Sequence, residues 1–344
     1  MSQFTWRNML LLPSNQGASW GIYKHGTYHE SSAEVAKDTA LRWSPALPVL
    51  FGAPGLPNLI PPTEIPELRK PAMLALRRNY LNMSVAIVGC ALAFIAVTFQ
   101  RPTGVLFSLG LALGCLWVVV SYDYFFCLRH RQSATERALF YYWIKTNHNV
   151  RKAAIYSTIF MIFMGGGQLI LQGGLGNAPA FDRVGAMYES LEDGQYWRLL
   201  TGPYLHYSLA HFANNSFLLI LMGAAASGII GRHTLYVFVI SNVFSGWAQW
   251  VFGLQTPGSF GGVSGGVYAL YGVLLSVGLR YKGLFPKGLL FYFMAVGALG
   301  VLSTDLVSPK SASVAHFTGF SFGLLYGLIV RPAQKVFCEN KKNQ

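Results

Sequence analysis

Ser264 sits in the run Gly261–Gly262–Val263–Ser264–Gly265–Gly266, at the head of an apolar stretch that carries no charge before about Leu279. Two other apolar segments hold His211 with Asn215, and His316. A serine becomes a nucleophile only when a base takes its proton, and acyl transfer also needs donors aimed at the developing oxyanion. Ser264 and His316 are the candidate nucleophile and base. His211, Asn215 and the main-chain N–H of Ser264 are the candidate oxyanion donors. No Asp or Glu occurs between Asp193 and Asp305, so a Ser–His dyad is expected and not a triad. Glycines beside Ser264, Gly262 and Gly265 among them, let the main chain approach a scissile carbonyl. A Gly-flanked serine alone would equally suit helix packing in a membrane, where small residues allow close approach. Its weight comes from its companions.

Helical spacing says which of these residues share a face. His211 and Asn215 are four apart, as are Ser264 and Tyr268. His316, Gly319 and Gly323 also fall on one face, and the two glycines would let the helix of His316 pack closely on the helix of Ser264. His206, five residues before His211, falls on a different part of the turn and is expected to steady a loop. His206, Gly262, Gly265, Tyr268 and Gly319 are thus supporting candidates, and Tyr268 and Gly319 also suit ordinary packing. Metal-assisted hydrolysis would call for a pattern such as H-E-x-x-H, but neither His206 nor His211 is followed by Glu. An aspartate pair has no residues to use. No metal and no cofactor are expected.

These residues must be positioned by helices in a bilayer. The chain has 344 residues, 53% hydrophobic and only 11% charged, against about 25% charged in soluble domains. The mean hydropathy is +0.39. The fold class expected is an all-α polytopic membrane protein. The net charge of +13 lies in loops between apolar spans, which is how cytoplasmic loops look, and excludes nucleic acid as a partner. Four cysteines, Cys90, Cys115, Cys127 and Cys338, show neither metal nor disulfide spacing. Trp6–Pro13 is too short for a secretory leader.

Five regions follow in order. Residues 1–80, with prolines bunched from Pro45 to Pro71, read as a loosely structured cytoplasmic extension that could recruit a cytoplasmic partner. Residues 81–121 hold a hairpin of two spans, Asn82–Phe99 and Gly104–Val120, each roughly 17–18 residues long. Residues 122–152 are a basic cytoplasmic linker whose middle suits an amphipathic surface helix. Residues 153–330 hold six apolar segments: Ala153–Leu171, His206–Ala226, Leu235–Phe252, Ser264–Leu279, Gly288–Val301 and Val314–Val330. Residues 331–344 form a basic tail. Bases fall on every second loop, which places both termini in the cytoplasm. Ser264, His206, His211, Asn215 and His316 then come to a similar depth on the extracytoplasmic side.

In the order Trp197–Arg198, His206-x4-His211-x3-Asn215, Gly262–Gly265 as G-x-S-G, and Ala315–His316-x2-Gly319-x3-Gly323, the chain resembles the rhomboid intramembrane serine proteases, over about Ala153–Val330. The likeness is to the six-segment bacterial type, including Tyr268, with an unusual amino-terminal extension. The resemblance implies a six-helix core that cleaves single-span membrane proteins near the extracytoplasmic face. It implies a dyad of Ser264 and His316, with His211 and Asn215 binding the oxyanion. Where relatives often carry a glutamate, this chain has Ala226–Ser227–Gly228. The partners expected are the lipid bilayer and single-span substrates. The alternative is a non-catalytic scaffold that binds transmembrane helices. A transporter is disfavoured, since the core has no acid to couple ions and no clear internal repeat.

Overall fold

The computed structural model describes residues 19–24, 27–47, 49–56, 58–100, 104–172, 178–253, 258–295 and 312–333. These fall into two compact units. One comprises the described residues up to Lys145 together with 281–295; the other comprises Thr146–Arg280 and 312–333.

The first unit opens on strands β1 (Trp20–Lys24) and β2 (Thr27–Ser31), helix α1 (Ala33–Ala40) and strand β3 (Val49–Gly52). The strands make an antiparallel sheet in the order β2-β1-β3. Ile22 faces both His29 and Phe51 across the register. Ser32 caps α1 by accepting from the Val35 N–H at 3.3 Å, as N-cap serines do. Trp43, Phe51, Ile65 and Leu68 pack with Ala36 and Ala40 in a buried cluster. The loosely structured extension expected from composition is therefore corrected over these residues. Strands of four and five residues are too short to show a period, and their stability comes from a shared core.

Pro66 opens the long α2 (Pro66–Gln100), where its fixed φ and missing N–H do no harm. The hairpin continues with α3 (Gly104–Arg129). Helix α4 (Arg131–Thr146) follows, and its residues Ser133–Phe140 are buried, so it is not the surface helix expected of a linker. Arg137 of α4 pairs with Asp123 of α3, and Tyr80 of α2 donates to the same carboxylate at 2.6 Å. An ion pair this buried holds three helices in register because each charge would be costly alone. Ser133 donates to the Lys287 carbonyl at 3.1 Å, and the Phe140 ring lies 5.6 Å from that of Phe285. The 281–295 stretch, expected in the six-segment core, is thus part of this first unit.

The second unit holds α5 (His148–Gln172), α6 (Ala178–Val184), the short β4 (Ala186–Met187), α7 (Tyr188–Glu192) and α8 (Arg198–Thr201). Then come α9 (Leu209–Ile230), α10 (His233–Phe252), β5 (Ser259–Phe260) and α11 (Ser264–Arg280). Residues 289–295 of the first unit are helical (α12), and α13 (Ser313–Ile329) returns to the second. The rest of the fifth expected span, 296–301, lies outside the described residues, as do Cys338 and most of the basic tail.

Among the described residues, four helices are long and apolar enough to cross a membrane: Pro66–Val97, His148–Leu171, His211–Ile230 and His233–Phe252. Leu113–Cys127 and Ser313–Ile329 are shorter apolar helices. The protein is a polytopic helical membrane protein.

Candidate active site

Helices α11 and α13 meet on glycine. A Cβ on Gly319 would run into the Gly265 carbonyl, and one on Gly323 into the Ala269 carbonyl. From the other side, a Cβ on Gly272 would run into the Phe320 carbonyl. With no side chains between them, the two main chains touch. His316, one turn before Gly319, therefore lands at the first turn of α11. Its Nε2 lies 2.8 Å from the Ser264 Oγ. Both residues are buried, at 8% exposure for Ser264 and 7% for His316. Tyr268, one turn along α11, sets its ring 4.5 Å from the His316 ring, tilted by 41°.

Ser264 is presented by a tied-down strand. β4 of the first loop pairs with β5, setting Ala186 against Phe260 and Met187 against Ser259. The chain then turns through Gly262, whose φ of +107° few side chains could adopt. A Cβ there would stand 2.6 Å from His211 Cε1, 2.7 Å from His211 Nε2 and 3.1 Å from Asn215 Nδ2. His211 and Asn215, on the same face of α9, thus reach the main chain two residues ahead of Ser264. The Asn215 Nδ2 is buried and has no hydrogen-bond partner among the described residues.

The start of α9 explains where His211 points. Ser208 caps the helix, accepting from the His211 N–H at 3.2 Å. His206 consequently lies in the loop before the helix, not in the span. It does not turn away from the other polar groups as helical spacing suggested: its ring meets that of His211 edge-on at 5.1 Å. It is fully buried, and burial first, then the neighbouring His211, push its pKa down to about 3. Tyr207 stacks on Phe181 at 4.4 Å and shares a 3.0 Å hydrogen bond with Ser259.

The first loop is organised by Arg198. Its guanidinium is buried and donates to the Gly185 and Asp182 carbonyls, both at 2.9 Å, and to Gln195 Oε1 at 2.8 Å. A fork of fixed donors suits this gathering of carbonyls. Trp197 lies against the same cation at 4.8 Å.

Sequence reading passed over a line of polar residues on α10. Asn242, Ser245 and Gln249 are buried. Asn242 Oδ1 accepts from the Gly266 N–H at 2.8 Å, and Gln249 Oε1 accepts from the Ala315 N–H at 3.2 Å. These contacts satisfy main-chain donors at the first turns of α11 and α13, which lack partners within their helices. The available signal was the spacing of amides and hydroxyls at about one helical turn inside an apolar span.

A buried serine and a buried histidine thus lie within hydrogen-bonding distance, with His211 and Asn215 of α9 beside the main chain that leads into the serine. Residues 193–333 match the family model described as Rhomboid domain. The chain is 35% identical over 144 residues to the rhomboid protease GlpG of Yersinia pestis, covering 40% of this chain and 49% of that relative. It is 35% identical over 138 residues to the rhomboid protease GlpG of Photorhabdus laumondii, covering 39% of this chain and 47% of that relative. The chain spans about half the length of the curated relatives it matches.

Proposed function

We propose that the chain is an intramembrane serine endopeptidase that hydrolyses single-span membrane proteins near the extracytoplasmic face. The observation that carries this reading is the 2.8 Å approach of His316 Nε2 to Ser264 Oγ in a buried setting. Ser264 Oγ attacks the scissile carbonyl carbon while His316 Nε2 takes its proton. His211, Asn215 and the Ser264 N–H donate to the oxygen as it gains charge. The C–N bond then breaks, and His316 returns the proton to the leaving amine. A water, deprotonated by His316, attacks the acyl carbon; the ester C–O bond breaks, Ser264 Oγ takes the proton back from His316, and the second product leaves as a carboxylic acid. The similarity to proteins described as rhomboid proteases supports the same chemistry.

Both termini are read as cytoplasmic from the alternation of basic loops. The folded sheet of the first unit is then a cytoplasmic domain available to a partner. The test is cleavage of a tagged single-span reporter in membranes. The natural chain should cut it. Ser264→Ala and His316→Ala, expressed equally, should lower the rate by about 10³-fold or more, as loss of either member of a nucleophile–base pair does. Equal cleavage by either variant would contradict the dyad, and no cleavage by the natural chain would favour a helix-binding scaffold.

A further inference from the structure

Gln168 lies two turns into the second half of α5, 2% exposed, in a helix that contributes none of the candidate catalytic groups. Its carboxamide makes two hydrogen bonds to one residue. Nε2 donates to the His206 carbonyl at 2.6 Å, and Oε1 accepts from the His206 N–H at 2.9 Å. Both main-chain groups of His206 are thereby satisfied, in the way a strand partner would satisfy them.

What this lock holds is the wall behind His211. The His206 ring stands edge-on to His211 at 5.1 Å and to Phe212 at 5.2 Å. The Tyr207 ring lies nearly parallel to His211 at 6.5 Å. Residues 206 and 207 thus bound the His211 imidazole on two sides, and the main chain that carries them is fixed by Gln168. One turn earlier on α5, a Cβ on Gly165 would stand 2.7 Å from Phe212 Cζ, so this face of α5 fits the start of α9 closely. Donors stabilise a transition state only when held near the position where charge will appear.

We propose that Gln168 is a positioning residue, acting through the 206–207 loop to hold His211 where the oxyanion forms. This rests on the protease reading above. The two partners explain why an amide is needed. Glutamate could accept from the His206 N–H but would set an oxygen against its carbonyl, and methionine would fill the space with neither bond.

The experiment compares the natural chain, Gln168→Met, Gln168→Glu, His211→Ala and the double variant Gln168→Met/His211→Ala, each full-length and reconstituted in liposomes. Reporter cleavage gives kcat and KM, and a fluorophosphonate probe gives the labelling rate of Ser264. Gln168→Met and Gln168→Glu should lower kcat at least tenfold with KM changed less than about twofold, because substrate contacts are untouched. Labelling should slow in parallel. In the His211→Ala background, Gln168→Met should cause little further loss, since the residue it positions is gone. Unchanged kcat, or losses that multiply in the double variant, would overturn the role. A natural chain that neither cleaves nor labels would sink the protease reading, and this role with it.

Discussion

At the scale of single residues, the site is held by groups whose usefulness depends on their neighbours being neutral or absent. Gly262 is open because His211 and Asn215 occupy the space a side chain would take. His206 is buried beside His211 and stays uncharged, its pKa pushed from 6.5 down to about 3. Unfolded, the imidazole binds a proton as pH falls through 6.5; folded, it refuses one until about 3. Its contribution to stability is complete above 6.5, drains away as pH falls towards 3, and is flat below that. Replacing His206 with leucine should therefore make stability less sensitive to acid. Between these limits the natural chain should lose up to about 1.4 kcal/mol per pH unit more than the variant. Denaturation followed from pH 7 to 4 reads the difference, and parallel curves for the two chains would show that His206 does not titrate this way.

At the scale of elements, the contact of α11 with α13 decides whether Ser264 meets His316. The contact exists because Gly319 and Gly323 present no side chain where the Gly265 and Ala269 carbonyls lie. Overpacking a close contact costs about 1–3 kcal/mol, and here any relief moves His316 away from Ser264. Gly319→Ala should lower the thermal midpoint in detergent and remove most reporter cleavage. Gly167→Ala, on α5 where nothing lies within 4 Å, should change neither. A Gly319→Ala chain as stable and active as the natural one would show that the helices are not set by this contact.

Much of that element-level arrangement was legible in the sequence. The spacing of His316, Gly319 and Gly323 anticipates one small face, and that of His211 and Asn215 a second polar one. What spacing could not give was the start of α9. Ser208 ends the loop and caps the helix, so His206 obeys loop geometry and comes back beside His211. The line Asn242, Ser245 and Gln249 was open to the same reasoning, but its function appears only once the N–H groups it receives are known.

At the scale of the whole molecule, the amino-terminal third is where sequence reading fell shortest. Short strands, proline turns and a buried Thr63–Thr135 hydrogen bond at 2.7 Å join residues far apart in the chain, which no local pattern reveals. The assignment of 281–295 to that unit is likewise a matter of long-range contacts, such as Tyr122 with Phe291 at 5.1 Å. The stretch linking the serine helix to the histidine helix is thus partly built into the first unit, so the intact chain is the right object for any test. The central claim is that His316 makes Ser264 nucleophilic. The most direct measurement is labelling of the intact chain in membranes by a fluorophosphonate probe, with the modified residue located by mass spectrometry. Labelling of Ser264 that falls about 10³-fold or more in His316→Ala, with the fold retained, is the expected result. Labelling that is undiminished in His316→Ala, or that misses Ser264 in the natural chain, would contradict it.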